Sequence, residues 1–150
     1  MELSSSKALL RLNASGQATF ALQNLGEWQC QGPLVILHYY DRQHPRAQTV
    51  HAPSEDSYSF GTAGTPSLGA KGFLQVLSAG EGVLHAEADF PNIHISILME
   101  IRLTENGNGF FIRIEEGGIT ENMPELYRIL GLEVFPEFGA ATTGESGYLT

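Results

Sequence analysis

Six apolar residues at alternate positions, Ile93, Ile95, Ile97, Met99, Ile101 and Leu103, form the strictest pattern in the chain. Side chains alternate across a strand, so these six share one face, while His94, Ser96, Glu100 and Arg102 take the other. Asn106-Gly107-Asn108-Gly109 follows, with two Asn-Gly steps of the kind a type I′ turn uses for positive φ. Phe110, Ile112 and Ile114 then alternate with Phe111, Arg113 and Glu115. A β-hairpin is expected here, and its apolar face needs a second layer to cover it.

The same rhythm recurs along the chain. Ala8, Leu10 and Leu12 alternate with Lys7, Leu9 and Arg11, and Ala18, Phe20 and Leu22 repeat the pattern after Asn13-Ala14-Ser15-Gly16. Asn24-Leu25-Gly26 reads as a turn, and 33–40 as a β-branched and aromatic strand. Residues 41–66, rich in Pro, Ser, Gly, Thr and His, are expected to form long loops with little regular structure. A second hairpin is expected from Phe73–Leu77 and Val83–Ala88. Residues 122–131 admit two readings. Asn122, Pro124, Glu125 and Gly131 fit a short capped helix, but Leu130, Leu132 and Val134 favour a strand from Tyr127 to Phe135. Short strands divided by Gly-rich turns, with hardly a helix, predict an all-β fold of two packed antiparallel sheets, a β-sandwich.

At 150 residues the chain suits one domain, able to bury about 70% of its unfolded surface. Its net charge of −9, with no basic cluster, argues against nucleic acid and against an anionic membrane as partners. The single cysteine, Cys30, excludes an intramolecular disulfide. Residues 1–20 show no signal-peptide pattern, and no apolar run is long enough to span a bilayer, so a soluble chain is expected, with its compartment unassigned.

Motifs for chemistry are sparse. His38, His44 and His51 match no zinc spacing, and His85 and His94 are expected in strands, on solvated faces or at an edge. Neither a metal nor a cofactor is implied. Glycosidases need two carboxylates at a set separation. Glu115, Glu116, Glu121 and Glu125 are close in sequence, as are Glu55-Asp56 and Glu87-Asp89, but solvated faces and turns account for them. No nucleophile elbow or phosphate loop is present, so no catalytic residue is assigned. Trp28, Tyr39, Tyr40, Tyr58 and Phe60 sit in or beside the loop-rich third of the chain, and since aromatic rings stack on the C–H faces of sugars, Trp28, Tyr39 and Tyr58 are taken as candidates for carbohydrate contact. The plainer reading places Trp28 and Tyr39 in the core.

The last quarter carries a resemblance. The hairpin of 93–115, then Leu126-Tyr127-Arg128-Ile129-Leu130, the corner Phe135-Pro136-x-Phe138-Gly139-Ala140-Ala141 and Gly147-Tyr148-Leu149 resemble the amino-terminal β-sandwich of large multidomain bacterial glycoside hydrolases. Leu25-Gly26-Glu27-Trp28 is similar to the strand-turn opening of such domains. The detailed match covers roughly residues 93–149. The resemblance implies a galactose-mutarotase-like supersandwich that packs on a C-terminal catalytic barrel of the same chain. It places Phe135, Pro136 and Phe138 at the joint between domains, and the catalytic carboxylates on the barrel. It also implies that residues 1–150 are one β-sandwich domain of a longer chain.

Three functions follow as expectations. The first is an accessory, non-catalytic domain of a glycoside hydrolase that packs on the barrel and lends residues, among them those of 41–66, to a carbohydrate site. The second is a free-standing carbohydrate-binding module built on Trp28, Tyr39 and Tyr58. The third and weakest is a mutarotase-like sugar epimerase, which needs a His paired with a carboxylate across strands. Spacing alone reveals no such pair.

Overall fold

The structure, a computed structural model, describes residues 1–13, 17–30, 33–54 and 71–136. Four strands open the chain, β1 (Glu2–Ser4), β2 (Ala8–Leu12), β3 (Ala18–Leu22) and β4 (Gly26–Cys30), paired in that order. Next come β5 (Val35–Asp41) and β6 (Arg46–Ala52), then β7 (Phe73–Gly80), β8 (Val83–Phe90), β9 (Ile95–Leu103), β10 (Phe110–Arg113), β11 (Ile119–Glu121) and finally β12 (Tyr127–Val134). A second sheet runs β12-β5-β6. The third runs β10-β9-β8-β7, with β11 also paired to β9. Every pairing is antiparallel. The fold is all-β and sandwich-like, divided among three ladders where two sheets were expected. No helix among the described residues is long and apolar enough to cross a membrane.

Alternation explains the packing. Leu3, Leu10, Phe20 and Trp28 are register partners across the first sheet. Leu132, Leu37 and Val50 form such a row in the second. Ile95, Ile97, Met99 and Ile101 face inward from the third, and all these residues join one core cluster, with Trp28 and Leu132 partly buried against it. The Phe20 ring ties the layers together. It meets Phe110 edge-on at 5.9 Å and Phe135 edge-on at 5.5 Å. Each large side chain so buried contributes about 1.5–3 kcal/mol.

The turns depart from expectation in an instructive way. Asn106–Gly109 does not form a two-residue turn. Leu103 pairs with Phe110, and a six-residue loop closes the hairpin, with Gly107 alone in it at positive φ. That loop is pinned elsewhere, because the Ser5 hydroxyl donates to the Gly107 carbonyl. The two-residue turn instead joins β7 to β8. Glu81 and Gly82 have φ of 49° and 79°, the two positive values a type I′ turn requires.

Two further corrections and one expectation that holds concern element boundaries. Residues 46–52, expected in a long loop, form β6, because pairing with β5 over seven positions outweighs their weak local preference for a strand. The rest of that segment, from 55 on, lies outside the described residues. Ile93 is buried but belongs to a 3₁₀ turn, Pro91–Ile93. His94 follows at φ 56° rather than within a strand. At 122–131 a single turn precedes β12, with the Leu126 and Tyr127 amides donating to the Met123 carbonyl. The strand reading holds there from Tyr127 to Val134.

Candidate functional site

The β12-β5-β6 sheet turns one face to the core and one outward. Val35, Leu37 and Tyr39 point in, so Ile36, His38 and Tyr40 point out. Tyr39 is 5% exposed and Tyr40 is 37% exposed. Across the ladder, Thr49 on β6 lies opposite His38, and Arg128 on β12 lies opposite Tyr40. A β-bulge interrupts β12. Ile129 pairs with Tyr39 and Gly131 with His38, leaving Leu130 as the extra, exposed residue. The outward N–H of Ile129 donates to the Glu121 carboxylate at 2.9 Å, which satisfies the edge of β12 beside the bulge.

The slip in register brings chemistry together. His38 Nε2 stands 2.7 Å from Glu133 Oε1, and its Nδ1 stands 3.1 Å from Thr49 Oγ1. A carboxylate only accepts, so in the neutral ring Nε2 carries the proton, and Nδ1 accepts from the Thr49 hydroxyl. The result is a Glu133–His38–Thr49 chain of hydrogen bonds across three strands, with the Tyr40 ring two residues from His38 on the same face. These side chains offer acceptors, a donor in Arg128 and an aromatic surface. All are open to solvent.

A second polar row crosses the outer face of the third sheet. Ser78, His85, Glu100 and Arg113 are consecutive register partners on β7, β8, β9 and β10. Here too a bulge, at Leu77, precedes the residue opposite the histidine. Although Glu100 faces outward, its side chain is only 8% exposed, covered by Arg102, Arg113 and His85. The Arg102 guanidinium donates to both oxygens at 2.6 and 3.0 Å and holds the Glu100 carboxyl below its ordinary range. Burial opposes that shift, and the charges of Arg102, Arg113 and His85 add to it. A carboxylate so fixed is a poor proton acceptor. Beside it lies a shallow hollow lined by Arg113, Ile114, Glu115 and Glu116, where Arg113 also pairs with Glu115.

The residues singled out from sequence are scattered. Tyr39 is enclosed and packs edge-on against Tyr127 at 6.3 Å. Burial, then the Asp41 charge, pushes its phenol pKa up. Its ring cannot meet a sugar; the neighbouring Tyr40, grouped with it on sequence but not singled out, can. Trp28 is half-buried on β4, in another sheet, packed against the core. Tyr58 and Phe138 lie outside the described residues. Phe135, expected at a domain joint, is buried in this domain's own core, where its amide donates to the Leu34 carbonyl at 2.7 Å. Pro136 is exposed.

The remaining candidates have local duties. Burial disfavours the Asp41 carboxylate, yet hydrogen bonds from His44 and from the amides of Gln43 and His44 outweigh it and hold its pKa down. That cluster closes the turn between β5 and β6. Glu87 accepts from Gln75 at 2.9 Å. Among the described residues no group of three or more His, Cys, Asp or Glu is placed to hold a metal ion. The Glu133–His38 pair had no sequence signal, since 95 positions separate the two residues. No family model, no curated protein and no solved structure matches this chain.

Proposed function

We propose that this chain is an accessory, non-catalytic β-sandwich domain of a glycoside hydrolase, and that it contacts carbohydrate through the outer face of the β12-β5-β6 sheet. The exposed Tyr40 ring beside the Glu133–His38–Thr49 chain carries the reading. A sugar ring laid on Tyr40 would place its hydroxyls within reach of Glu133 as acceptor and Arg128 as donor. The antiparallel all-β fold agrees with the resemblance of residues 93–149 to hydrolase sandwiches. In this reading catalysis belongs to a following barrel domain, which packs near the exposed Pro136.

Titration with a panel of soluble glycans, followed by NMR shifts of the Tyr40 and His38 resonances, tests the carbohydrate contact. Saturable shifts for one class of glycan support it; no shift at millimolar sugar overturns it. Reading the gene past the codon for Thr150 tests the multidomain part. An in-frame barrel supports that part, whereas an immediate stop codon leaves only the free-standing binding module.

The two cross-strand His–carboxylate pairs, His38–Glu133 and His85–Glu100, give a second reading, sugar epimerisation, a specific observation in its favour. Against it, Glu100 is held ionised by arginines, and the Glu133 pair sits on an open face rather than in a water-excluding cleft. Anomerisation of glucose or galactose followed by NMR decides it. A rate equal to that of buffer ends it.

A further inference from the structure

The outer face of the β7–β10 sheet is polarised along its strands. Asp89 and Glu87 lie toward one end of β8, whereas Arg102 lies toward the opposite end, on β9. Leu98 is exposed near the middle, and Phe111 is exposed beside Arg102. On a chain of net charge −9, most faces repel a second copy. A face acidic at one end and basic at the other is complementary to itself once reversed.

We infer that this face is the contact between two copies of the chain, related by a two-fold axis that runs between them, parallel to the sheet and across its strands. The register fixes the consequences. His85 pairs with Glu100 and Glu87 with Leu98, so an axis between those two rows exchanges position 85 with 87 and 83 with 89 on β8. It likewise exchanges 96 with 102 and 98 with 100 on β9. Asp89 of one copy then lies over Val83 of the other, within reach of the second copy's Arg102, because Arg102 is the register partner of Val83. Glu87 lies over His85. Each contact occurs twice, as an isologous interface demands. The Arg102–Glu100 pairing fixes the guanidinium before association, which lowers the entropy lost on binding. The polar contacts lie at the rim of the face, so the dimer is weak and is weakened further by salt.

Sedimentation equilibrium from low micromolar to millimolar protein is the test, with Asp89→Lys and Val83→Glu as variants. Asp89→Lys leaves the Glu100 cluster untouched, Val83→Glu sets a second carboxylate beside Arg102, and circular dichroism checks that each retains its sheet. The expected result is a wild-type dimer, about tenfold weaker association for each variant alone, and recovery on mixing the two, since the ammonium introduced in one variant then meets the carboxylate introduced in the other. A monomer throughout overturns the inference. So does a dimer indifferent to both substitutions, or a mixture that fails to recover. If Val83→Glu does not fold, Leu98→Glu takes its place, because position 98 lies over Glu100 of the other copy: loss of the dimer supports the inference and an unchanged dimer overturns it. Glycan binding at Tyr40 is read separately, so either proposal can fail without the other.

Discussion

His38 Nε2 lies 2.7 Å from Glu133 Oε1 and joins β5 to β12 across the outer face of their sheet. The two side chains are 39% and 50% exposed, and a side-chain contact this open to solvent contributes only about 0–1 kcal/mol. Its worth to the fold is therefore small, and its worth to a ligand is the orientation it gives the carboxylate. Glu133→Gln is expected to leave the melting temperature within about 2 °C of wild type and to weaken glycan binding about tenfold. Thermal melts and calorimetric titration check the two halves. A large drop in melting temperature would assign the pair to the fold instead.

Tyr39 and Tyr40 are neighbours in sequence with opposite surroundings. Tyr39→Ala empties a core position and is expected to cost about 3 kcal/mol, or roughly 6–12 °C in melting temperature. Tyr40→Ala removes an exposed ring and is expected to abolish carbohydrate binding with a change within about 0.5 kcal/mol in stability. Denaturant unfolding of both variants, alongside glycan titration of the second, separates them. The reverse pattern would exchange their roles.

Glu100 governs part of the acid limb of stability. Its carboxyl, held down chiefly by the Arg102 hydrogen bond, titrates below its ordinary value of 4.5 in the folded chain. A depressed folded pKa means that its contribution is present above about pH 4.5 and lost as pH falls through the folded value. Glu100→Gln should therefore melt below wild type at neutral pH, with the gap narrowing as pH drops below 4.5. Melting curves over a pH series check this. A gap independent of pH would show that packing, not charge, is what the substitution disturbs.

Much of the fold was legible because alternation is local. Ile95 to Ile101 declared their inward face, and the outward places of Ser96, Glu100 and Arg102 followed from it. The second sheet was harder. β6 has only Val50 and Ala52 buried, so composition alone suggested a loop, and its pairing with β5 was invisible. In β5 both faces carry apolar or aromatic residues, and one step in register exchanges Tyr39 for Tyr40. His38 on the Tyr40 face was the available hint of which side meets water. The Glu133–His38 pair depends on a bulge at Leu130 and on strands distant in sequence, and no spacing rule reports that.

Phe135 separates a joint from a core. Were its ring held for a partner domain, Phe135→Ala would leave this domain's stability unchanged. The ring instead meets Phe20 at 5.5 Å, 5% exposed, with the backbone at φ 48°. Phe135→Ala is expected to cost about 3–5 kcal/mol, the usual range for emptying an aromatic core position. Urea unfolding of residues 1–150 measures it. A cost below about 1 kcal/mol would return the residue to the joint.

Gly72 marks the seam between the second and third sheets. The Ser54 hydroxyl donates to the His51 carbonyl at 2.7 Å and accepts from the Gly72 amide at 2.8 Å, while the Ser54 amide donates to the Gly72 carbonyl at 2.8 Å. This closed set of bonds draws the end of β6 against the start of β7. A Cβ on Gly72 would overlap the His51 carbonyl oxygen and stand 2.7 Å from Phe90 Cε1, against backbone and a buried ring that have little room to move. Gly72→Ala is therefore expected to cost about 2–3 kcal/mol, or roughly 5–10 °C in melting temperature. Ser54→Ala keeps the space and loses only hydrogen bonds, so about 1 kcal/mol is expected. If thermal melts rank the two the other way, hydrogen bonding rather than close approach holds the seam.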